Sequence, residues 1–353
     1  MKIFKPDSVE IVAENLKLCA GKKYSVLNSM IEKDIPPTRV LSAAASRRPK
    51  PQKIPKTSWQ DFSAGKEGIR DNFFSPNETF PREEIAKIRV QLSDFTFVLY
   101  CGRGRFGHVW LVKDLSERII ALKLIRKTDI RNLTTEKAGL TAYHSKIRNF
   151  EHLIQIYHIG QTQDFFYYTM EAAYSISDEV YIPVTLDKLL WNCTFSPQDS
   201  ADITTDILLG LQELHSCGLS HRDIKPDNIA IINNQIKITD VSLISGSGRK
   251  SFSGTEFFMP PDIKNIPDDR SGNDCDLFAT GKILYLLLAN ENNVCKFPQM
   301  NLWILCSKLA RNLNRIINKA CHPEYTSRYP DAGEFIRELN RAESASRKFF
   351  GRF

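Results

Sequence analysis

A chain of 353 residues has room for two average domains or one large two-lobed unit with an extension, and its 42% hydrophobic and 25% charged residues suit a globular core. Its net charge of +7 is compatible with an acidic or phosphorylated partner but does not indicate nucleic-acid binding. Eight cysteines without any C-x-x-C pair argue against a zinc site or a disulfide framework and favour reduced thiols in the cytoplasm. No apolar run suits a signal peptide or approaches the roughly 18 residues of a membrane span. We therefore expect a cytoplasmic protein without membrane contacts.

The N-terminal part, residues 1–90, differs from the rest of the chain and is predicted to be an extension. Its segment 35–60 has no acidic residue, and basic residues alternate there with Pro49, Pro51 and Pro55. Proline at this density disfavours a helix and favours an extended linker. A solvated tether is the simpler interpretation of segment 35–60, and a docking arm for an acidic partner is the alternative.

The first regular elements are predicted after the extension, where apolar runs flank a glycine-rich turn. In chain order they are strands at 95–101, 109–112 and 118–124, a helix at 134–147 capped by Asn132, and strands at 153–157 and 165–170. Together they predict a small five-stranded sheet accompanied by one helix.

The remainder of the chain is predicted to be mainly helical. Ser196 followed by Pro197 predicts a helix start, because serine caps a first turn that proline tolerates, and Gly218 predicts its end. Asn233 and Asn234 both tolerate positive φ and predict the turn of a hairpin. The expected elements are a long helix with a buried stripe of Ile203, Ile207, Leu208, Leu211 and Leu214, hairpin strands at 229–232 and 235–238, and helices at 276–289, 309–320 and 331–340.

The most informative stretch is the octapeptide at 221–228, which reads H-R-D-x-K-x-x-N and is followed by Asp240. Phosphoryl transfer from ATP requires a carboxylate that orients the attacking hydroxyl, a cation that offsets charge, and oxygen ligands for magnesium. The chain here resembles the protein kinase family, and its serine/threonine branch because Lys225 lies two residues after Asp223. A polar loop of another α/β enzyme is the alternative interpretation.

A glycine-rich motif precedes these residues, since Gly102, Gly104, Gly107 and Val109 fit G-x-G-x-x-G-x-V. A dinucleotide-binding fingerprint would open a helix, whereas this motif runs on into a predicted strand. The absence of G-K-[ST] from the motif excludes a Walker A loop. Backbone N–H groups of such a turn can lie over nucleotide phosphates, although a glycine-rich hairpin without a ligand would give the same pattern.

The resemblance implies an ATP pocket with residues from several elements. Lys123, two residues after Ala121, occupies the position of the lysine that pins the ATP phosphates, and Glu136 is its expected partner. A surface lysine and a solvated glutamate are the simpler alternatives. Segment 169–173 resembles the hinge that binds adenine, or is a plain buried strand end. Its implied contacts are the side chain of Met170 and the backbone of Glu171 and Ala173.

The same resemblance assigns the catalytic roles. Asp223 would accept or aim the proton of the substrate hydroxyl, and Lys225 would stabilise charge on the transferring group. Asn228 and Asp240 would hold Mg²⁺, a cation that prefers oxygen ligands. Thr255, in the substrate-facing loop, would contact Asp223 and Lys225.

Further residues match positions that the family uses to order this region. Asp262 would pair with Arg328 and thereby order the loop, while Asp276 would anchor the catalytic loop that begins at His221 and Arg222. A phosphate on the loop could pair with Arg222 through charge-assisted bonds. The candidate phosphorylation sites, which a simple polar loop would also explain, are Ser247, Ser251 and Ser253.

The triplet at 240–242 departs from the family pattern D-F-G, because Val241 and Ser242 replace phenylalanine and glycine. Valine fills less volume beneath Leu140 and His221, and serine restricts the backbone freedom that glycine allows. Since the carboxylate of Asp240 is kept, we expect altered regulation. An impaired, pseudokinase-like state is the alternative.

The resemblance covers about residues 95–342 and implies an α+β, bilobal protein kinase fold: a small five-stranded antiparallel N-lobe with one helix, and a larger, mainly helical C-lobe. The expected parts are an extension at 1–90, an N-lobe at 91–171, a C-lobe at 172–345 and a basic-aromatic tail at 346–353. The expected function is Mg²⁺- and ATP-dependent phosphorylation of serine or threonine in a protein partner. A nucleotide-binding pseudokinase and a small-molecule phosphotransferase remain as alternatives.

Overall fold

The computed structural model describes residues 82–103, 107–173, 175, 183–246, 255–293, 295, 297–298 and 305–350. Several sequence-based predictions therefore lie outside the described residues: the linker at 35–60 with the rest of the extension up to residue 81, Gly104, Ser247, Ser251, Ser253, and the end of the tail at 351–353. None of the helices in the described part combines the length and apolar composition needed to cross a bilayer.

The first half of the described chain forms a five-stranded antiparallel sheet with the order β1-β2-β3-β5-β4. Its strands are β1 (Thr96–Arg103), β2 (His108–Lys113), β3 (Ile119–Arg126), β4 (Ile156–Gln161) and β5 (Phe165–Met170). The prediction for β5 is confirmed, and those for β1 to β3 are confirmed within two residues at each end. The prediction of a strand at 153–157 is wrong in its bounds. Leu153 forms an isolated bridge with Ile238, and the strand begins only at Ile156.

A helix that the sequence analysis did not predict, α1 (Arg82–Gln91), precedes the sheet. Ile88 in this helix and Leu92 just after it are almost fully buried in one cluster with Trp110 and Leu122 of the sheet. Helix α1 therefore packs against the first strands, although most of its residues belong to the predicted extension at 1–90.

Helix α2 (Ile130–Lys146) connects β3 and β4. The prediction of Asn132 as its cap is wrong, because helical hydrogen bonding begins earlier: the amide of Leu133 donates to the carbonyl of Asp129 at 2.9 Å. Asn132 consequently lies within the first turn.

The second half is mainly helical. Its long helix α4 (Pro197–Ser216) begins with a capping box in which Ser196 and Asp199 bond each other's backbone. Gly218 follows its end at φ +69°, and the predicted stripe is buried. The other helices are α3 (Leu186–Asn192), α5 (Asp268–Ala289), α6 (Lys308–Ala320) and α7 (Ala332–Phe350). Helices α5 and α7 are longer than the predicted 276–289 and 331–340, because each extends beyond the apolar pattern from which it was predicted.

Short strands and 3₁₀ turns complete this lobe. The predicted hairpin is confirmed as β7 (Ile229–Ile232) and β8 (Gln235–Ile238), and Asn233 and Asn234 in its turn have φ of 48° and 64°. Strands β6 (Leu219–Ser220) and β9 (Ser245–Gly246) form a second pair. The 3₁₀ turns lie at Pro226–Asn228, Val241–Leu243, Glu256–Phe258 and Tyr325–Ser327. The observed architecture is that of a bilobal kinase, as expected from the sequence.

Candidate active site

Strand β2, which follows the glycine-rich motif, pairs directly with β3, the strand that carries Lys123. A Cβ atom on Gly107 would sit 2.3 Å from the carbonyl oxygen of Leu124, so a side chain cannot be accommodated there without moving backbone. Gly102 adopts a φ of +137°, a conformation that favours glycine. Val109 is the register partner of Lys123 across the sheet. Packing therefore requires glycine at 107 and backbone conformation favours it at 102, before any ligand is considered.

Lys123 is buried at the centre of the site. Its Nζ atom lies 2.8 Å from Oε1 of Glu136 and 3.3 Å from Oδ1 of Asp240. Burial alone disfavours the charged ammonium. The acidic groups of Tyr168, Asp240 and Glu136 outweigh that penalty and raise the pKa of this lysine well above its usual range. The structure thus joins one cation to two carboxylates from distant parts of the sequence.

The carboxylate of Asp240 faces this lysine from the other lobe, and its side chain is 31% exposed. Burial opposes its ionisation, but the ammonium of Lys123 and the hydroxyl of Ser242 lower the pKa of Asp240 to about 2. Its backbone lies in the left-handed region with φ 54°. Asp240 is therefore ionised at neutral pH.

Residues of the proposed catalytic loop, together with Thr255, form a compact hydrogen-bonded group around Asp223. Lys225 Nζ donates to one carboxylate oxygen of Asp223 at 2.9 Å, and the Thr255 hydroxyl donates to the other at 3.1 Å. Lys225 also lies 3.2 Å from the Thr255 oxygen. Nδ2 of Asn228 donates to the backbone carbonyl of Asp223 at 2.8 Å. Three side chains of this loop thus lie together with Thr255, which the sequence analysis placed in the substrate-facing loop.

Asn228 also links this group to Asp240. The amide of Thr239, the residue before Asp240, donates to the Asn228 carbonyl at 2.8 Å. Because the amide nitrogen of Asn228 is directed at Asp223, its Oδ1 oxygen is turned away from that carboxylate. An amide oxygen and an ionised carboxylate are the oxygen donors that Mg²⁺ prefers, so the chemistry of Asn228 and Asp240 fits this cation.

Asp276, on α5, holds the backbone of the catalytic loop. Its two carboxylate oxygens accept the amides of His221 at 2.8 Å and Arg222 at 2.7 Å. Arg222 has a φ of 69°, an uncommon conformation for a residue with a side chain. His215 on α4, which the sequence analysis did not single out, approaches the same carboxylate at 2.9 Å.

Arg328 is buried between two carboxylates, of which the sequence analysis named one. One arm of its guanidinium bonds Asp262, the proposed partner, and the other bonds Asp274 on α5 at 2.5 Å. Asp262 additionally accepts the amide of Tyr325 at 2.8 Å. Burial raises the pKa of Asp274 despite the nearby guanidinium. No motif in the sequence indicated Asp274, because its contact joins residues far apart in the chain.

The proposed hinge follows β5. Met170 pairs in register with Ala121 of β3, so these two residues lie side by side on neighbouring strands. Ala121 is buried, whereas Met170 and Ala173 are partly exposed. These positions suit one wall of a cleft between the sheet and the helical lobe.

The side chain of Glu171 forms a connection that sequence reasoning missed. Its carboxylate is buried and accepts from Lys237 Nζ at 2.9 and 3.0 Å and from the amide of Gln155 at 2.9 Å. Nδ2 of Asn233 donates to the same carboxylate at 3.2 Å. The backbone amide of Glu171 donates to the Gln155 carbonyl at 3.1 Å, so a ligand would have to use the Glu171 carbonyl.

Val241, which replaces the larger phenylalanine of the family pattern, is buried in the same hydrophobic cluster as Leu140. Helix α2 contributes Gly139 at this contact. A Cβ atom there would lie 3.3 Å from the Val241 carbonyl and 2.7 Å from that of Ile244, so glycine allows the helix to rest on the backbone of the turn. Helix α2 thus packs closely on the turn that carries Val241, the residue whose side chain is smaller than the phenylalanine of the family pattern.

Comparison with known proteins agrees with this geometry. The family model for the protein kinase domain matches residues 95–348. RAC-beta serine/threonine-protein kinase of Homo sapiens is 26% identical over 256 residues, covering 68% of this chain and 49% of that protein. Serine/threonine-protein kinase cds1 of Schizosaccharomyces pombe is 29% identical over 219 residues, covering 57% and 46% of the two chains. Calcium-dependent protein kinase 4 of Plasmodium berghei is 27% identical over 250 residues, covering 64% and 46%.

The two-lobed fold and the cluster around Lys123 define a protein of the kinase class. Because the family model covers well over half of the sequence, the chain belongs to the protein kinase family. It spans about half the length of these three relatives.

Proposed function

We propose that this chain is a serine/threonine protein kinase that transfers the γ-phosphoryl group of ATP to a protein hydroxyl in a Mg²⁺-dependent reaction. The observation that carries the proposal is the buried ammonium of Lys123, which contacts Glu136 at 2.8 Å and Asp240 at 3.3 Å. This contact requires α2 and the turn after β8 to close on the same strand. At this position the ammonium of Lys123 would bind the ATP phosphates, and the carboxylate of Asp240 would bind the metal.

Transfer by such a site depends on positioning and electrostatics, without a covalent enzyme intermediate. Asp223 would aim the acceptor hydroxyl and receive its proton. Lys225 lies 2.9 Å from Asp223 and would place its positive charge beside the transferring group. Thr255, hydrogen-bonded to Asp223, would hold the substrate-facing loop against the catalytic loop.

Asn228 and Asp240 would hold the metal, and bound Mg²⁺ would neutralise charge on the ATP phosphates. Asp240 is prepared for this role because its lowered pKa, about 2, keeps the carboxylate ionised. The adenine would bind beside Met170 and Ala173 and accept no bond from the Glu171 amide, which already donates to Gln155.

A protein acceptor, a cytoplasmic location and an acidic partner for segment 35–60 are further parts of the proposal. The bond between Thr255 and Asp223 supports a protein acceptor, because it joins a substrate-facing loop to the catalytic carboxylate. Curated relatives that are named serine/threonine-protein kinases support serine or threonine as the acceptor. Phosphorylation of Ser247, Ser251 or Ser253 is proposed as a means of ordering the loop through Arg222.

The proposal is tested by phosphate transfer from radiolabelled ATP to the protein itself and to a basic protein, with mass spectrometry of segment 241–262. Asp223→Asn should abolish transfer while thermal unfolding stays unchanged, since asparagine keeps the shape but not the charge. Asp227→Asn is the matched control, because Asp227 lies in the same loop and is exposed. It should transfer phosphate like the wild type.

Two results would replace this proposal. Stabilisation of the wild-type protein by ATP without any phosphate transfer would indicate a nucleotide-binding pseudokinase, which the substitutions at Val241 and Ser242 leave open. Transfer to a small metabolite, with protein substrates untouched, would indicate a small-molecule phosphotransferase. Transfer that survives in Asp223→Asn would show that the catalytic carboxylate is misassigned.

A further inference from the structure

Ser242 introduces a hydroxyl into the centre of the site, at a position where the family pattern has glycine. It is 1% exposed and lies in the 3₁₀ turn that follows Asp240. Its Oγ atom is 2.8 Å from Lys123 Nζ and 3.1 Å from Oε1 of Glu136, and it contacts Oδ1 of Asp240 directly. The hydroxyl therefore touches all three charged groups of the cluster.

A second hydroxyl reaches the cluster from β5. The Tyr168 hydroxyl donates to Oε1 of Glu136 at 2.8 Å, and both residues are almost fully buried. Oε1 of Glu136 thus accepts from the Tyr168 hydroxyl and also contacts the ammonium of Lys123.

The available protons assign a direction to each bond. A serine hydroxyl has one proton and can also accept, while a lysine ammonium has three protons and cannot accept. Lys123 must therefore donate to Ser242, which leaves the serine proton for a carboxylate. Asp240 is the nearer carboxylate, and Glu136 already accepts hydrogen bonds from Lys123 and Tyr168. Each carboxylate consequently has one hydroxyl donor besides the shared lysine.

These hydroxyls offset an electrostatic cost. Two carboxylates share one ammonium, so the described cluster carries one excess negative charge in a largely buried place. Hydrogen bonds to a charged acceptor are stronger than those between neutral groups. Gly139 lets α2 lie on the turn that carries Ser242, since a Cβ there would be 2.7 Å from the Ile244 carbonyl. Helix and turn can thus supply both carboxylates at close range.

We propose that Ser242 and Tyr168 are positioning residues whose hydroxyls hold Asp240 and Glu136 around Lys123, so that the site is assembled before nucleotide or metal binds. This inference rests on the proposed function for its catalytic consequence, because Asp240 acts there as a metal ligand. Serine at this position thus has a second effect besides restricting the backbone: it provides a bond that glycine cannot make.

The variants that test this are Ser242→Ala and Ser242→Gly, which both remove the hydroxyl, and Tyr168→Phe. Ser242→Thr keeps the hydroxyl and serves as the conservative replacement. Ser245→Ala is the matched control, because the Ser245 hydroxyl is buried nearby and has no hydrogen-bond partner among the described residues.

The first measurement is amide hydrogen exchange of the full-length protein without ligand. Ser242→Ala and Ser242→Gly should exchange about tenfold faster than wild type in segments 136–146 and 240–244, which corresponds to about 1.4 kcal/mol. Tyr168→Phe should show the acceleration in 136–146. Ser245→Ala should match the wild type, and Ser242→Thr should recover most of the protection. Unchanged exchange in the variants that lack the Ser242 hydroxyl would overturn the proposal.

The second measurement is the Mg²⁺ concentration that gives half-maximal phosphate transfer at saturating ATP. It should rise about tenfold in Ser242→Ala, while Ser245→Ala keeps the wild-type value. An unchanged or lowered Mg²⁺ requirement would refute the effect on Asp240. If exchange accelerates as expected but the wild-type protein transfers no phosphate, the proposed function fails and the positioning role stands.

Discussion

Replacing Lys237 with methionine leaves the buried carboxylate of Glu171 without its cation. Both side chains are only 5% exposed, and two distances of 2.9 and 3.0 Å join the ammonium to the carboxylate. Removing one partner of a buried ion pair costs about 3 to 5 kcal/mol, because the other charge stays buried. The amide of Gln155 and Nδ2 of Asn233 still donate to Glu171, so we expect the lower end of this range, about 3 kcal/mol.

The assay is chemical and thermal unfolding of the wild type, Lys237→Met, Glu171→Gln and the double variant. A loss of about 3 kcal/mol lowers the melting temperature of a domain of this size by roughly 6 to 12 °C. The double variant should be more stable than Lys237→Met, because neutral glutamine no longer needs a cation and its one amide oxygen can still accept either the Gln155 amide or Nδ2 of Asn233. A loss below about 1 kcal/mol in Lys237→Met would refute the reasoning, as would a double variant whose losses simply add.

Two further predictions follow from the site. Gly107→Ala should destabilise the protein by about 1 to 3 kcal/mol, because its Cβ would lie 2.3 Å from the Leu124 carbonyl oxygen; an unchanged melting temperature would contradict this packing. The pKa of Asp240 is about 2 in the folded protein, against 3.8 for an unperturbed aspartate. Its contribution to stability is therefore complete above pH ~4 and disappears as the pH falls towards ~2. Urea unfolding between pH 5 and 3 should show this loss in the wild type and a smaller loss in Asp240→Asn.

Local patterns in the sequence predicted most of the elements. Ser196 and Pro197 begin α4 because capping is decided by side chains within one turn, and Asn233 and Asn234 turn the hairpin because they tolerate positive φ. The prediction failed where a distant contact competed: Leu153 bridges Ile238 and does not extend β4. Helix α1 was missed because its buried face has meaning only against the sheet that it covers.

The sequence alone determined the order of the chemical groups, because motifs such as H-R-D-x-K-x-x-N are contiguous and their residue types reflect the chemistry of phosphoryl transfer. The tertiary structure decided which groups meet. It brought Asp274 to Arg328, Lys237 to Glu171, and the hydroxyls of Ser242 and Tyr168 to the carboxylates around Lys123. These contacts join residues from separate strands, helices and turns. Their energies depend on burial and distance, which emerge only when these elements pack together.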